Sequence, residues 1–154
     1  MYSTLLSSFL LIGGPCDTVP PPLNRSILTF VEEHLDQKVG SGECWDLVAV
    51  ALDKAGAKWD GEFDFGKPVD PLRECVYPGD IIHFKNVTLR TMSNGRTSTT
   101  RMDDHTAVIT FVKDRWVFQL GHQNTSTSGR KVGHSDIDLR HLVGGEYTVF
   151  RPEP

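Results

Sequence analysis

Cys44, His105 and the pair His122 and Asn124 occur in that order along the chain. A thiol, an imidazole to carry its proton and a polar group to orient that imidazole are the parts a cysteine amidase or peptidase needs. Such a set opens an amide through an acyl-thioester on the cysteine. Gly40 and Gly42 precede Glu43, and from Cys44 the pattern turns helical, with Leu47, Val48, Ala51, Leu52 and Ala55 on one face and Gly56 placed to stop it. This puts Cys44 at a helix N-terminus, where unpaired backbone N–H groups and the positive end of the macrodipole favour a thiolate. The competing reading of a lone cysteine is a small buried hydrophobe.

His105 opens a β-rich run, and in the next run Trp116, Phe118, Leu120, His122 and Asn124 share one face by the two-residue period, with Gln119 and Gln123 on the other. Trp116, Phe118 and Leu120 suit a core, so His122 and Asn124 fall at its edge, where either can meet the second ring nitrogen of His105. His83 is the alternative base, although strand alternation is expected to turn it outward. His34, His134 and His141 fit solvated surface positions.

These residues need a frame. Ser26 is placed to cap a helix whose apolar face is Ile27, Leu28, Phe30, Val31 and Leu35. A loop from Lys58 to Asp70 follows the Cys44 helix, with Trp59, Phe63 and Phe65 expected to anchor it to the core. Pro78-Gly79-Asp80 is a turn signal, followed by β-rich Ile81 to Leu89. Arg90 to Arg101 reads as a hairpin with Asn94-Gly95 at its tip. His105 to Val112 and Arg115 to Gln123 form a second hairpin about Lys113-Asp114. A polar loop from Asn124 to Arg130, a short helix around Asp136 to Leu142 and a last strand from Tyr147 to Phe150 complete the chain.

With 154 residues, 38% of them hydrophobic, the chain has enough material for one domain with its own core. The net charge of −4 offers no basic footprint, which argues against a nucleic-acid partner. Three cysteines, Cys16, Cys44 and Cys75, do not make a disulfide framework, and none has the close spacing of a zinc site. No metal or cofactor is expected, and Cys75 has no assigned role. Residues 1–23 differ from the rest: an apolar run from Leu5 to Ile12 is too short to span a bilayer and suits a secretory leader. Cys16 follows it as a candidate lipid acceptor, with Pro15 against that reading, and Pro20 to Pro22 read as a stiff spacer before a domain at residues 24–154. Export is therefore expected, with membrane attachment only through the leader.

Gly42-Glu43-Cys44-Trp45-Asp46-Leu47, Pro78-Gly79-Asp80-Ile81-Ile82-His83-Phe84, His105-Thr106-Ala107-Val108-Ile109 and His122-Gln123-Asn124 together resemble the CHAP and NlpC-type branch of papain-fold cysteine hydrolases. Ser128-Gly129-Arg130-Lys131-Val132, Asp138-Leu139 and Arg151-Pro152 extend the resemblance to a narrower group. That group is the cysteine-proteinase-fold domain of small exported bacterial proteins and of fungal SH3-bearing adaptors of the cortical actin and myosin machinery. The resemblance implies an α+β papain-like fold, with N-terminal helices packed on an antiparallel sheet. It also implies Cys44 as nucleophile, His105 as base, and His122 where CHAP enzymes often carry Glu, with Asn124 matching the Asn that follows. The implied activity is that of a thiol amidase or peptidase on peptide or peptidoglycan-like substrates. A transferase on the same acyl-enzyme and a catalytically idle binding module are the alternatives.

Overall fold

The computed structural model describes Cys16 and residues 19–154, and the apolar run Leu5 to Ile12 lies outside the described residues. Two helices, α1 (Pro22–Glu33) and α2 (Cys44–Ala55), precede six strands: β1 (Lys67–Val69), β2 (Ile81–Ser93), β3 (Arg96–Asp114), β4 (Val117–His122), β5 (Gly133–Asp138) and β6 (Leu142–Arg151). The strands form one antiparallel sheet in the order β1-β6-β2-β3-β4-β5. This is the α+β, papain-like arrangement expected from the sequence, with the helices packed on the sheet.

Local chemistry sets where the elements begin and end. Pro22 occupies the first turn of α1, where its missing N–H costs nothing, after Pro21 in an extended conformation. The helix thus starts four residues before Ser26, and the third proline of the spacer belongs to it. Ser26 is inside the helix, its hydroxyl donating to the Pro22 carbonyl at 3.3 Å rather than capping. Gly56, at φ 74°, ends α2 by donating its N–H to the carbonyls of Asp53 and Leu52. Asn94 and Gly95, at φ 51° and 71°, make the two-residue turn between β2 and β3. The second hairpin turns at Arg115 and Trp116, two residues later than expected, because the ladder runs on to the Asp114–Val117 pair. The helix expected at Asp136 to Leu142 is instead the end of β5, which pairs with β4, and one 3-10 turn at Leu139–His141 capped by the Asp138 carboxylate. The last strand reaches back to Leu142 because β6 pairs with β2 along its length.

The sheet buries both faces. Ile82, Phe84, Ala107, Ile109, Phe118, Leu120 and Val149 form one core, while Ile81, Val108 and Phe150 on the other face meet Ile27, Val31, Leu47, Val48, Ala51 and Leu52 of the helices. Phe65 is fully buried in the helix-side core, Trp59 packs beside it, and the Trp45 indole N–H donates to the Glu62 carbonyl at 2.6 Å. The aromatics therefore tie down the loop that leads into β1.

The turn ahead of β2 is the main junction. Gly79, at φ 89°, lies so close to α1 that a Cβ there would come within 2.2 Å of the Asn24 carbonyl oxygen. Gly79→Ala should therefore cost at least about 2 kcal/mol, from backbone strain plus displacement of α1. A urea midpoint unchanged from the parent protein would contradict this. Cys75, just upstream, forms a disulfide with Cys16. The odd cysteine count thus leaves one thiol over rather than forbidding a bridge, and the Cys16 sulfur is not available for lipid attachment.

Candidate functional site

Cys44 is the first residue of α2, half-buried, and the free cysteine of the chain. The loop in front of it is fixed from within. Asp46 accepts from both the N–H and the hydroxyl of Ser41, which hold its carboxyl below the usual range, and Gly40 is packed against the Asp46 side chain. The loop is also fixed from across the fold. Gln123, fully buried, accepts from the Val39 N–H at 3.2 Å and donates to the carbonyls of Val39 and Glu43 at 2.7 and 2.8 Å. Glu43 in turn accepts from the Asn124 amide at 2.7 Å and pairs with Arg130. Gly42 lacks a side chain where Arg130 crosses it.

His105 and His122 project from neighbouring strands onto the face that carries Phe84 and Leu120. The Nε2 atom of His105 lies 2.8 Å from Nδ1 of His122, and Nε2 of His122 lies 2.7 Å from the Ser135 hydroxyl. Burial pulls both rings below the ordinary imidazole pKa. For His105 the Asp104 carboxylate opposes that pull and His83 adds to it. For His122 burial comes first, then His105 and His134, and its pKa falls to about 3. His122 is therefore neutral at physiological pH, with one ring proton to place. If that proton is on Nε2 and donated to Ser135, Nδ1 of His122 accepts from His105 Nε2–H. His105 Nδ1 is then left as a basic nitrogen.

A histidine whose folded pKa is depressed contributes its full stabilisation above the unfolded value of about 6.5, and loses it as pH falls toward the folded pKa. Stability should decline between pH 6.5 and about 3, and His122→Gln should flatten part of that decline. Equal slopes in chemical denaturation across this range would contradict the assignment.

The expected residues thus separate into two groups. His105 and His122 meet directly. Asn124, at φ 59°, turns away from His105 to hold Glu43, so the orienting contact to His105 comes from His122 alone. Cys44 and His105 do not meet: α2 packs on the Ile81 and Val108 face of the sheet, His105 lies beside Phe84 on the other, and no hydrogen bond joins them among the described residues. What links them is the segment Gln123-Asn124, which follows His122 directly and grips the residue before Cys44. A cleft of about 550 Å³ opens beside the histidines, lined by Arg101, Asp103, His105, His122, Thr125 and Ser135 among others, without Cys44.

His83 does not face outward. It is buried, with Nε2 2.6 Å from the Asp104 carboxylate and its ring stacked on Phe63 at 5.0 Å, because the anchored loop folds over that part of β2. His134 pairs with Glu32 and His34 caps α1 through the Phe30 carbonyl. Sequence reasoning missed Ser135, which reaches His122 through the β4–β5 register, and Gln123, which period two did assign to the opposite face.

Among known proteins, a family profile described as AIM3/BBC1 Cysteine proteinase-fold domain matches residues 23–154. "Altered inheritance of mitochondria protein 3" of Debaryomyces hansenii is 28% identical over 151 aligned residues, covering 83% of this chain. The match spans only 16% of that relative's length. Two crystal structures of Ly7917 also match. One has a TM-score of 0.47 at 15% identity, covering 82% of this chain and 62% of that one. The other, titled as Ly7917 with the hydrolyzing product of MDP, has a TM-score of 0.49 at 16% identity, covering 84% and 63%.

Proposed function

From the premise that this chain belongs to the AIM3/BBC1 cysteine-proteinase-fold family, we propose that it is a thiol-dependent amidase or peptidase acting through an acyl-enzyme on Cys44. What supports the proposal is Cys44 at the first position of α2, its loop held by Gln123 and Asn124, which directly follow His122, with the chain His105–His122–Ser135 on the opposite face of the sheet. In this reading His105 Nδ1 takes the Cys44 proton, and the sulfur attacks the scissile carbonyl. His105 then returns the proton to the leaving amine. Water activated by the same nitrogen opens the thioester. His122 holds the His105 ring through Nε2, and the Cys44 N–H, at the start of α2, is one donor to the oxyanion. Because α2 and the His105 side chain lie on opposite faces of the sheet, this proton transfer requires the β3–β4 edge to rearrange when substrate binds.

The favoured substrates are peptides, including cell-wall peptides, and the protein is read as exported. The Cys16–Cys75 disulfide supports an oxidising compartment. The test is digestion of a peptide library and of purified cell-wall peptides in ¹⁸O-water, followed by mass spectrometry. New carboxyl termini carrying ¹⁸O indicate hydrolysis, exchange of acyl groups without ¹⁸O indicates a transferase, and no Cys44-dependent product removes the proposal. A non-catalytic binding module is the second reading. It is favoured by the unbonded Cys44 and by a relative in which the matched segment is a small part of a long chain.

A further inference from the structure

Ser135 and the two histidines make a chain that works in either direction. Oγ of Ser135 lies 2.7 Å from Nε2 of His122, and Nδ1 of His122 lies 2.8 Å from Nε2 of His105. A hydroxyl on Nε2 and an orienting group on Nδ1 are the contacts of a serine nucleophile, its base and the residue that holds the base. The Cys44 reading puts the ring proton of His122 on Nε2. With that proton on Nδ1 instead, the same distances let Nδ1–H donate to His105 and leave Nε2 free to accept from the Ser135 hydroxyl. All three side chains line the cleft of about 550 Å³, a size ordinary for small-molecule sites, and Ser135 is half-buried there.

The surroundings supply the other parts. Burial keeps His122 neutral at physiological pH, so it has a lone pair to accept with, and the Asp104 carboxylate favours positive charge at the His105 end of the chain. Arg101 is exposed on the cleft wall and forms no ion pair among the described residues, which leaves its guanidinium free for an oxyanion. We propose that Ser135 is a second, thiol-independent nucleophile that opens carboxylic esters, with His122 as its base and His105 as the residue that positions His122. The Ser135 oxygen bonds to the acyl carbon as its proton passes to His122 Nε2. The ester C–O bond then breaks, and the leaving alkoxide takes that proton. Water gives a proton to Nε2 and attacks the acyl-serine, and the released serine oxygen takes the proton back. Esters suit this chain better than amides. A neutral imidazole behind the base stabilises the imidazolium less than a carboxylate would, and an alkoxide leaves more readily than an amine.

The test uses full-length Cys44→Ala protein, so that no free thiol competes, and a biotinylated alkyl fluorophosphonate, which forms an O–P bond with loss of fluoride at an activated serine. Peptide mapping should find the label on Ser135 and not on Ser126 or Thr127, which line the same cleft. Added Ser135→Ala should abolish labelling and slow p-nitrophenyl acetate hydrolysis at least about tenfold, and His122→Gln should slow labelling about a hundredfold. His105→Leu should also slow it, and His105→Asn, which keeps an acceptor for the His122 Nδ1–H, should restore part of the rate. The proposal is overturned if Ser135 stays unlabelled, if Ser126 or Thr127 labels as fast, or if His122→Gln labels at the parent rate. Should His122→Gln not fold, ester hydrolysis unchanged by Ser135→Ala overturns it equally. An unlabelled Ser135 leaves the Cys44 reading standing, and an inert Cys44 leaves this one standing.

Discussion

Cys44→Ala should leave the fold intact and reduce any hydrolysis by about 10⁴-fold or more. The side chain is half-buried at the first position of α2, so removing its sulfur opens little core volume. The loop before it is held by Asp46, Gln123 and Asn124, none of which bonds to the thiol. Thermal unfolding should therefore match the parent protein. His105→Ala should cost nearly as much activity, because thiol and imidazole work as a unit whose losses do not add. His122→Ala should cost less, since it acts on His105 and not on the substrate. Retained activity in Cys44→Ala would remove the nucleophile assignment.

The largest stability effect is expected at Asp80. Its fully buried carboxylate accepts from Arg151 Nε and Nη2 at 2.9 and 2.8 Å, from the Asn24 amide at 2.7 Å and from the Tyr77 N–H at 2.8 Å. One side chain thus joins α1, the turn before β2 and the end of β6. Arg151 also donates to the Cys75 carbonyl and lies over the Tyr77 ring at 4.7 Å. Asp80→Ala would leave a part-buried guanidinium, an amide and a backbone N–H without their acceptor. About 3–5 kcal/mol should be lost, as when one partner of a buried ion pair is removed. Urea denaturation measures this directly, and a loss below about 1 kcal/mol would show that solvent or rearrangement satisfies those donors.

The frame of the site was readable where local chemistry decides. Two glycines and a 3.6-residue apolar pattern marked the start of α2, Asn94-Gly95 marked the hairpin tip, and period two brought His105 and His122 to one face. What could not be read depends on register and long-range packing. Ser135 meets His122 only because β5 pairs Ser135 with Leu120 and Gly133 with His122. Asn124 shares the period of His122, but a left-handed backbone turns it to Glu43. His83 was expected at the surface because alternation says nothing of a loop folding back, and Phe63 covers it. The Cys16–Cys75 bridge joins positions 59 residues apart, a separation no short motif encodes. Asp80 looked like part of a turn signal, since the arginine that meets it is at the far end of the chain.

The central claim is that Cys44 is an activated nucleophile served by His105, and the most direct test is the pH dependence of iodoacetamide labelling. With Cys16 and Cys75 joined in a disulfide, Cys44 is the free thiol and labelling reports on it alone. The account predicts labelling at pH 6–7 much faster than that of a free cysteine, whose pKa is about 8.5, and loss of that advantage in His105→Ala. Labelling that follows an ordinary thiol in both proteins would contradict the account and turn attention to the binding-module reading.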